Sequence, residues 1–142
     1  MASDKVLQTL TMIDQMKRGA SLDRLLESTR PAHSLPQLIL PHLRNMSYET
    51  LGILIGTSRP NVYKIMGGKS HPEKDMILRI AITLEMSVEE TQDMLRSAHR
   101  TPLTASDERD VCIMYALINL LDSEDTDALL REKGFPTLWP ST

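Results

Sequence analysis

Apolar residues recur at helical spacing along most of this chain, and no stretch combines strand alternation with β-branched enrichment. Val6, Leu7, Leu10, Ile13 and Met16 share one face of a helix expected over Asp4 to Arg18, which Gly19 can end. Ser21 to Thr29 is a second, shorter helix carrying Leu22, Leu25 and Leu26, closed before Pro31. Arg30 to Ser34 then reads as a linker, so residues 1–34 form an N-terminal helical extension. The next helix starts near Ser34 with Pro36 in its first turn, where a missing N–H costs little, and turns Leu35, Leu38, Ile39 and Leu43 inward. Pro41 falls inside that pattern and is expected to kink or break it. Tyr48 to Ile55 follows, capped by Ser47 and ended at Gly56, and Arg59 to Met66 starts from Ser58 with Pro60 early enough to be tolerated. Pro72 to Glu85 buries Met76, Ile77, Ile80, Ala81 and Leu84. Val88 to Ala98 begins at Ser87, with Glu90 three residues on in a capping-box arrangement.

The last third resembles the one before it, which reads either as two copies of a helical hairpin, the preferred reading, or as chance similarity between two amphipathic helix pairs. A shift of 35 residues aligns Asp75 with Asp110, Ala81 with Ala116, Glu89 with Glu124, Thr91 with Thr126, Leu95 with Leu130, Arg96 with Arg131 and Leu103 with Leu138. One helical hairpin cannot bury its own face, so two stacked copies are expected. Trp139 is expected to fold back on the second copy as packing. The Arg109-Asp110 pair is read as an ion pair or helix cap.

Composition narrows this all-helical picture. A chain of 142 residues, 41% hydrophobic but only 4% aromatic and with nine Met, has the length for one ordinary domain and a core of aliphatic side chains and Met. No apolar run approaches the roughly 20 residues of a membrane span, and Asp14, Gln15, Lys17 and Arg18 interrupt the only candidate leader. The single cysteine, Cys112, lies in an apolar run, which predicts core filling and a reducing, cytoplasmic setting. Net charge is −3, which argues against a polyanion ligand until its distribution is seen. Residues 58–74 carry four basic side chains (Arg59, Lys64, Lys69, Lys74) against Glu73 alone, whereas residues 104–142 hold eight acidic against three basic. Local field matters more than total charge for steering a polyanion.

Residues 47–72 carry most of the chemistry: two short helices around a tight turn, the second polar and basic and ended by Gly67-Gly68. Gly56 supplies the positive φ the turn needs, and Val62, Ile65 and Met66 give the second helix an inner face. With Tyr48 to Leu51, Gly56-Thr-Ser58, Val62, Ile65, Gly67-Gly68-Lys69, Pro72, Ile77 to Leu84, Ser87 to Thr91, Pro102-Leu103 and Arg109-Asp110, the chain from Leu35 to Leu138 resembles the Xre/Cro, phage repressor-like helix-turn-helix family. It looks most like a bacterial or phage branch, common in low-GC Gram-positive bacteria, in which a helical hairpin follows the reading domain. The resemblance covers about three quarters of the chain. It implies an all-α, lambda repressor-like five-helix domain over 35–103 with a C-terminal hairpin over 104–142 packed on it. Gly52 departs from the usual alanine, a loosening of about 1 kcal/mol by helix propensity. Met66 departs from an acidic residue, and residues 1–34 have no counterpart in the pattern.

The resemblance implies a transcriptional regulator that binds double-stranded DNA as a homodimer, its half-sites ~34 Å apart. Arg59, Asn61, Tyr63 and Lys64, near the start of the second helix, are the candidates for base edges: Arg matches guanine and Asn adenine. Ser58 at the helix start, and Ser47, Tyr48, Lys69, His71 and Lys74 around it, complete the expected DNA-contacting set, the flanking ones on phosphates. The competing expectation is a protein-interaction adaptor that keeps the fold without reading DNA, its partner held through 1–34 or 104–142. Within 1–34, Leu7, Leu10, Leu22 and Leu25 are a candidate dimer face. No enzyme, cofactor or metal site is expected. His33, His42, His71 and His99 lack ligand spacing, and Gly67-Gly68-Lys69-Ser70 follows a helix as a stop rather than cradling phosphate.

Overall fold

The computed structural model describes residues 4–29 and 33–140, and every regular element among them is an α-helix. The expected linker falls partly on residues 30–32, outside the described residues. Two compact units divide the chain, residues 1–32 and 33–142. In the first, α1 (Asp4–Lys17) and α2 (Leu22–Thr29) take the expected places. Gly19, at φ 87°, ends α1 while the Gly19 and Ala20 amides bond back to Met16 and Gln15. Leu7, Leu10 and Leu22 are exposed but Leu25 is buried, so the four do not present one open face.

The second unit holds α3 (Leu35–Leu43), α4 (Tyr48–Ile55), α5 (Arg59–Met66), α6 (Lys74–Thr83), α7 (Val88–Ser97), α8 (Glu108–Ile118) and α9 (Ser123–Glu132). Short polar side chains set most of the starts. Ser34 and Ser87 make full capping boxes with Gln37 and Glu90, and Ser47, Ser58, Asp107 and Asp122 each accept the amide three residues on. Pro41 does not break α3, which runs through it to Leu43. The ring takes away only the amide that would bond Gln37, both residues face solvent, and Ile39 and Leu43 anchor the inner face. The helix expected over Pro72 to Glu85 is shorter at both ends.

One continuous core runs from Leu35 to Leu138, with Ile39, Leu51, Ile55, Ile80, Leu95 and Ile113 sealed inside, so position 103 marks no gap in packing. Of the nine methionines only Met86 and Met94 are buried among the described residues. No described helix is long and apolar enough to cross a membrane.

The 35-residue repeat extends into hydrogen bonding. The α6–α7 and α8–α9 turns place Glu85 and Leu120 at φ 56° and 52°, and α7 and α9 end on His99 and Gly134 at φ 57° and 83°. Lys74 reaches Asp110 (3.3 Å) and the Pro102 carbonyl, while its counterpart Arg109 grips Asp75 (2.9 and 3.1 Å) and the Thr137 carbonyl. Gln92 exchanges two 2.8 Å bonds with Leu103, and at the equivalent position Asp127 accepts the Leu138 amide at 2.8 Å. Each hairpin therefore binds its own trailing strap and lends a cation to the other's carboxylate. The two copies are related as a pseudo-two-fold pair. Asp107, not Asp110, caps α8; Asp110 instead accepts the Thr104 amide beside Lys74.

Candidate nucleic-acid interface

Helices α4 and α5 pack closely because Gly52 has no side chain. A Cβ there would stand 3.0 Å from the Thr57 carbonyl oxygen and 3.3 Å from Val62 Cγ2. The glycine that loosens α4 by propensity is the one that lets α5 approach. Gly56, at φ 74° and ψ 39°, closes the turn: its amide bonds Ile53 and the Thr57 amide bonds Gly52. Two residues from outside the pair then cap the carbonyl end of α4. Arg79 Nη1 donates to Ile55 (3.2 Å) and Trp139 Nε1 to Leu54 (2.8 Å), while Arg79 Nε donates to the Leu138 carbonyl (2.6 Å). Burial lowers the Arg79 pKa from its ordinary value, against the pull of Asp75 and Asp127. Trp139 therefore reaches beyond its own hairpin to the α4–α5 turn.

The inner face of α5 buries Val62 and Ile65 with Met66 half-buried, which turns Arg59, Tyr63 and Lys64 outward to solvent. Arg59 is not a loose chain. Its Nη2 donates to the Tyr63 hydroxyl (3.3 Å), its guanidinium lies 5.4 Å from the Tyr63 ring centre, and Tyr48 meets that ring edge-on at 4.9 Å. The Tyr63 hydrogen bond raises the Arg59 pKa from its ordinary value. Ser58 and Ser47 spend their hydroxyl oxygens on the amides of Asn61 and Thr50. Asn61 is half-buried and donates to Thr57 Oγ1 (2.8 Å). Lys64 and Lys69 are exposed and form no ion pair among the described residues.

Two expected contacts sit differently. Lys74 is drawn inward to Thr101, Pro102 and Asp110, so it belongs to the hairpin pair rather than to the basic surface. His71 is exposed, but its backbone is held: Arg100 donates to the His71 and Pro72 carbonyls at 2.9 and 3.0 Å and pairs with Glu73. Setting aside the paired Lys74 and Glu73, Arg59, Lys64 and Lys69 leave the same +3 on this surface. Arg79 and Arg100 are positioning residues that sequence reasoning missed, and Trp139, expected only as packing on its own hairpin, is a third. Only Arg79 left a signal, a charge inside the apolar run from Met76 to Leu84.

Among the described residues no three His, Cys, Asp or Glu side chains gather where they could hold a metal ion. Cys112 is a free, half-buried thiol. No protein-family model, curated protein or solved structure matches the chain.

Proposed function

We propose that this chain is a sequence-specific DNA-binding regulator of the lambda repressor-like, Xre/Cro type, with α4 and α5 as its helix-turn-helix. The observation that carries this is the outward face of α5, where Arg59, Tyr63 and Lys64 project from a helix whose other side is locked in the core. A helix of this length fits a major groove, and Arg59 presents guanine's two acceptors with a fork held in place by Tyr63. Lys64 and Lys69 supply phosphate charge, with Ser47, Ser58, Tyr48 and His71 at the rim. The regulator works as a homodimer because one reading helix makes too few contacts for tight specific binding.

Salt titration of duplex binding tests this. The two phosphate-directed cations of each copy, Lys64 and Lys69, give a log–log slope of about −2 for one copy and about −4 for two, at −0.9 per phosphate neutralised. Retention of a selected duplex with that slope is expected. No retention of any duplex at ~50 mM salt is the contrary result. It would favour the adaptor, which the 74% exposure of Ile53 on α4 supports as a protein-docking feature beside the same surface.

A further inference from the structure

We infer that the outward face of α8, centred on Tyr115, is the contact through which two copies of this chain associate. The inference starts from the internal repeat. Helix α6 packs against α7, α8, α9 and α4; its counterpart α8 packs against α9, α6 and α7. The one main partner that α6 has and α8 lacks is α4. The consequence shows position by position. Ile80 of α6 is fully buried and Met76 and Thr83 half-buried, yet their equivalents Tyr115, Val111 and Ile118 are 57%, 45% and 71% exposed. The second hairpin therefore carries, uncovered, the strip that in the first hairpin lies under a helix.

The strip suits a second copy of itself. Val111, Tyr115 and Ile118 follow one another by four and three residues on one helical face. In an antiparallel pair about a two-fold axis Tyr115 meets its own image, and each Val111 meets the other copy's Ile118. That pairing is isologous and closes at two copies. Arg109 and Asp110 point inward to Asp75 and Lys74, so Glu108 is the one charge α8 itself leaves outward, with Lys133 beside it and Val111. An antiparallel pair keeps the two Glu108 side chains at opposite ends and aligns the helix dipoles favourably. Past Ile118 a groove of about 450 Å³ has an apolar floor of Met86, Val88, Leu117 and Leu120, with Glu85, Glu89 and Glu90 also in its lining. Eleven residues give a helix about 16 Å long, so the contact is at the small end of specific interfaces and its affinity belongs in the micromolar range.

The uncovered strip follows from the repeat; as the contact between the two copies that the proposed function needs, it rests on that reading and deepens it. The test is sedimentation equilibrium of the full chain without DNA, from ~1 to ~200 µM. Wild type is expected to move from 16.0 kDa towards twice that mass as concentration rises. Tyr115→Glu is expected to weaken the association at least tenfold with little change in the thermal transition, because Tyr115 is 57% exposed and lies outside the buried core. Leu7→Glu, on α1, is expected to leave it unchanged. A wild type that stays monomeric throughout, or a Tyr115→Glu variant that dimerises like wild type, overturns the inference. A monomer that still binds duplex overturns the α8 contact and leaves the DNA reading standing. A dimer lost on Tyr115→Glu that retains no duplex upholds the contact and sinks the DNA reading.

Discussion

Replacing Arg109 by Met tests whether the crossed ion pairs hold the two hairpins together. Arg109 grips Asp75 with two hydrogen bonds of 2.9 and 3.1 Å and also donates to the Pro136 and Thr137 carbonyls at 3.0 and 3.2 Å. Its pKa is raised by the Asp75 hydrogen bonds, with burial opposing. Methionine fills much of the volume but leaves the carboxylate and two strap carbonyls without a donor. Breaking a fully buried pair costs roughly 3–5 kcal/mol. Here the Asp75 side chain is 39% exposed, so water recovers part of the loss and about 2 kcal/mol is expected. In urea that moves the midpoint by about 1 M at unchanged slope. The chain's single tryptophan, Trp139, reports it directly from the strap that Arg109 holds. Asp75→Asn in the same background completes a double-mutant cycle, with a coupling of about 1–2 kcal/mol expected. A single-variant loss below about 0.5 kcal/mol, or a coupling near zero, would refute the Arg109–Asp75 half of the crossed pairs as a tie between the hairpins.

Two further changes probe the site and its support. Gly56→Ala forces a side chain to φ 74° at the α4–α5 turn and is expected to cost about 1–2 kcal/mol in thermal unfolding; an unchanged melting temperature would show that the left-handed turn is not required. Glu90 is held below the ordinary carboxylate range, first by the Ser87 amide, then by the Ser87 side chain and His42, with burial opposing. A depressed folded-state pKa contributes stability above the unfolded value, about 4.5, and loses it as pH falls through the folded one. Glu90→Gln should therefore flatten the acid limb of stability below that pH, and an unaltered limb would assign it to other carboxylates.

What the sequence disclosed was local. Helix starts were readable because Ser87 and Glu90 meet across three residues and Pro36 follows Ser34 in a first turn, and Gly56 and Gly19 mark ends that need positive φ. The hairpin repeat was readable because its bonding residues recur at one fixed shift. Long-range pairings were not. Lys74 looked like part of a basic surface because its partner, Asp110, lies a whole repeat away. The Trp139 bond to Leu54 spans 85 positions, and no periodicity announces it. Gly52 looked like a weakness in α4 because the carbonyl of Thr57 that needs the space becomes visible only once the helices are packed. At the candidate interface the outward set on α5 followed from its buried stripe, whereas the Tyr48–Tyr63–Arg59 cluster depends on how α4 lies against α5.

The decisive measurement is selection of bound fragments from a random duplex library, run side by side with wild type and with Arg59→Ala/Lys64→Ala. Both side chains are exposed, so the double variant is expected to keep its thermal stability. Wild type should enrich a defined sequence, and the double variant should enrich none. Equal enrichment by both proteins, or none by wild type at ~50 mM salt, would contradict a reading helix that begins at Arg59.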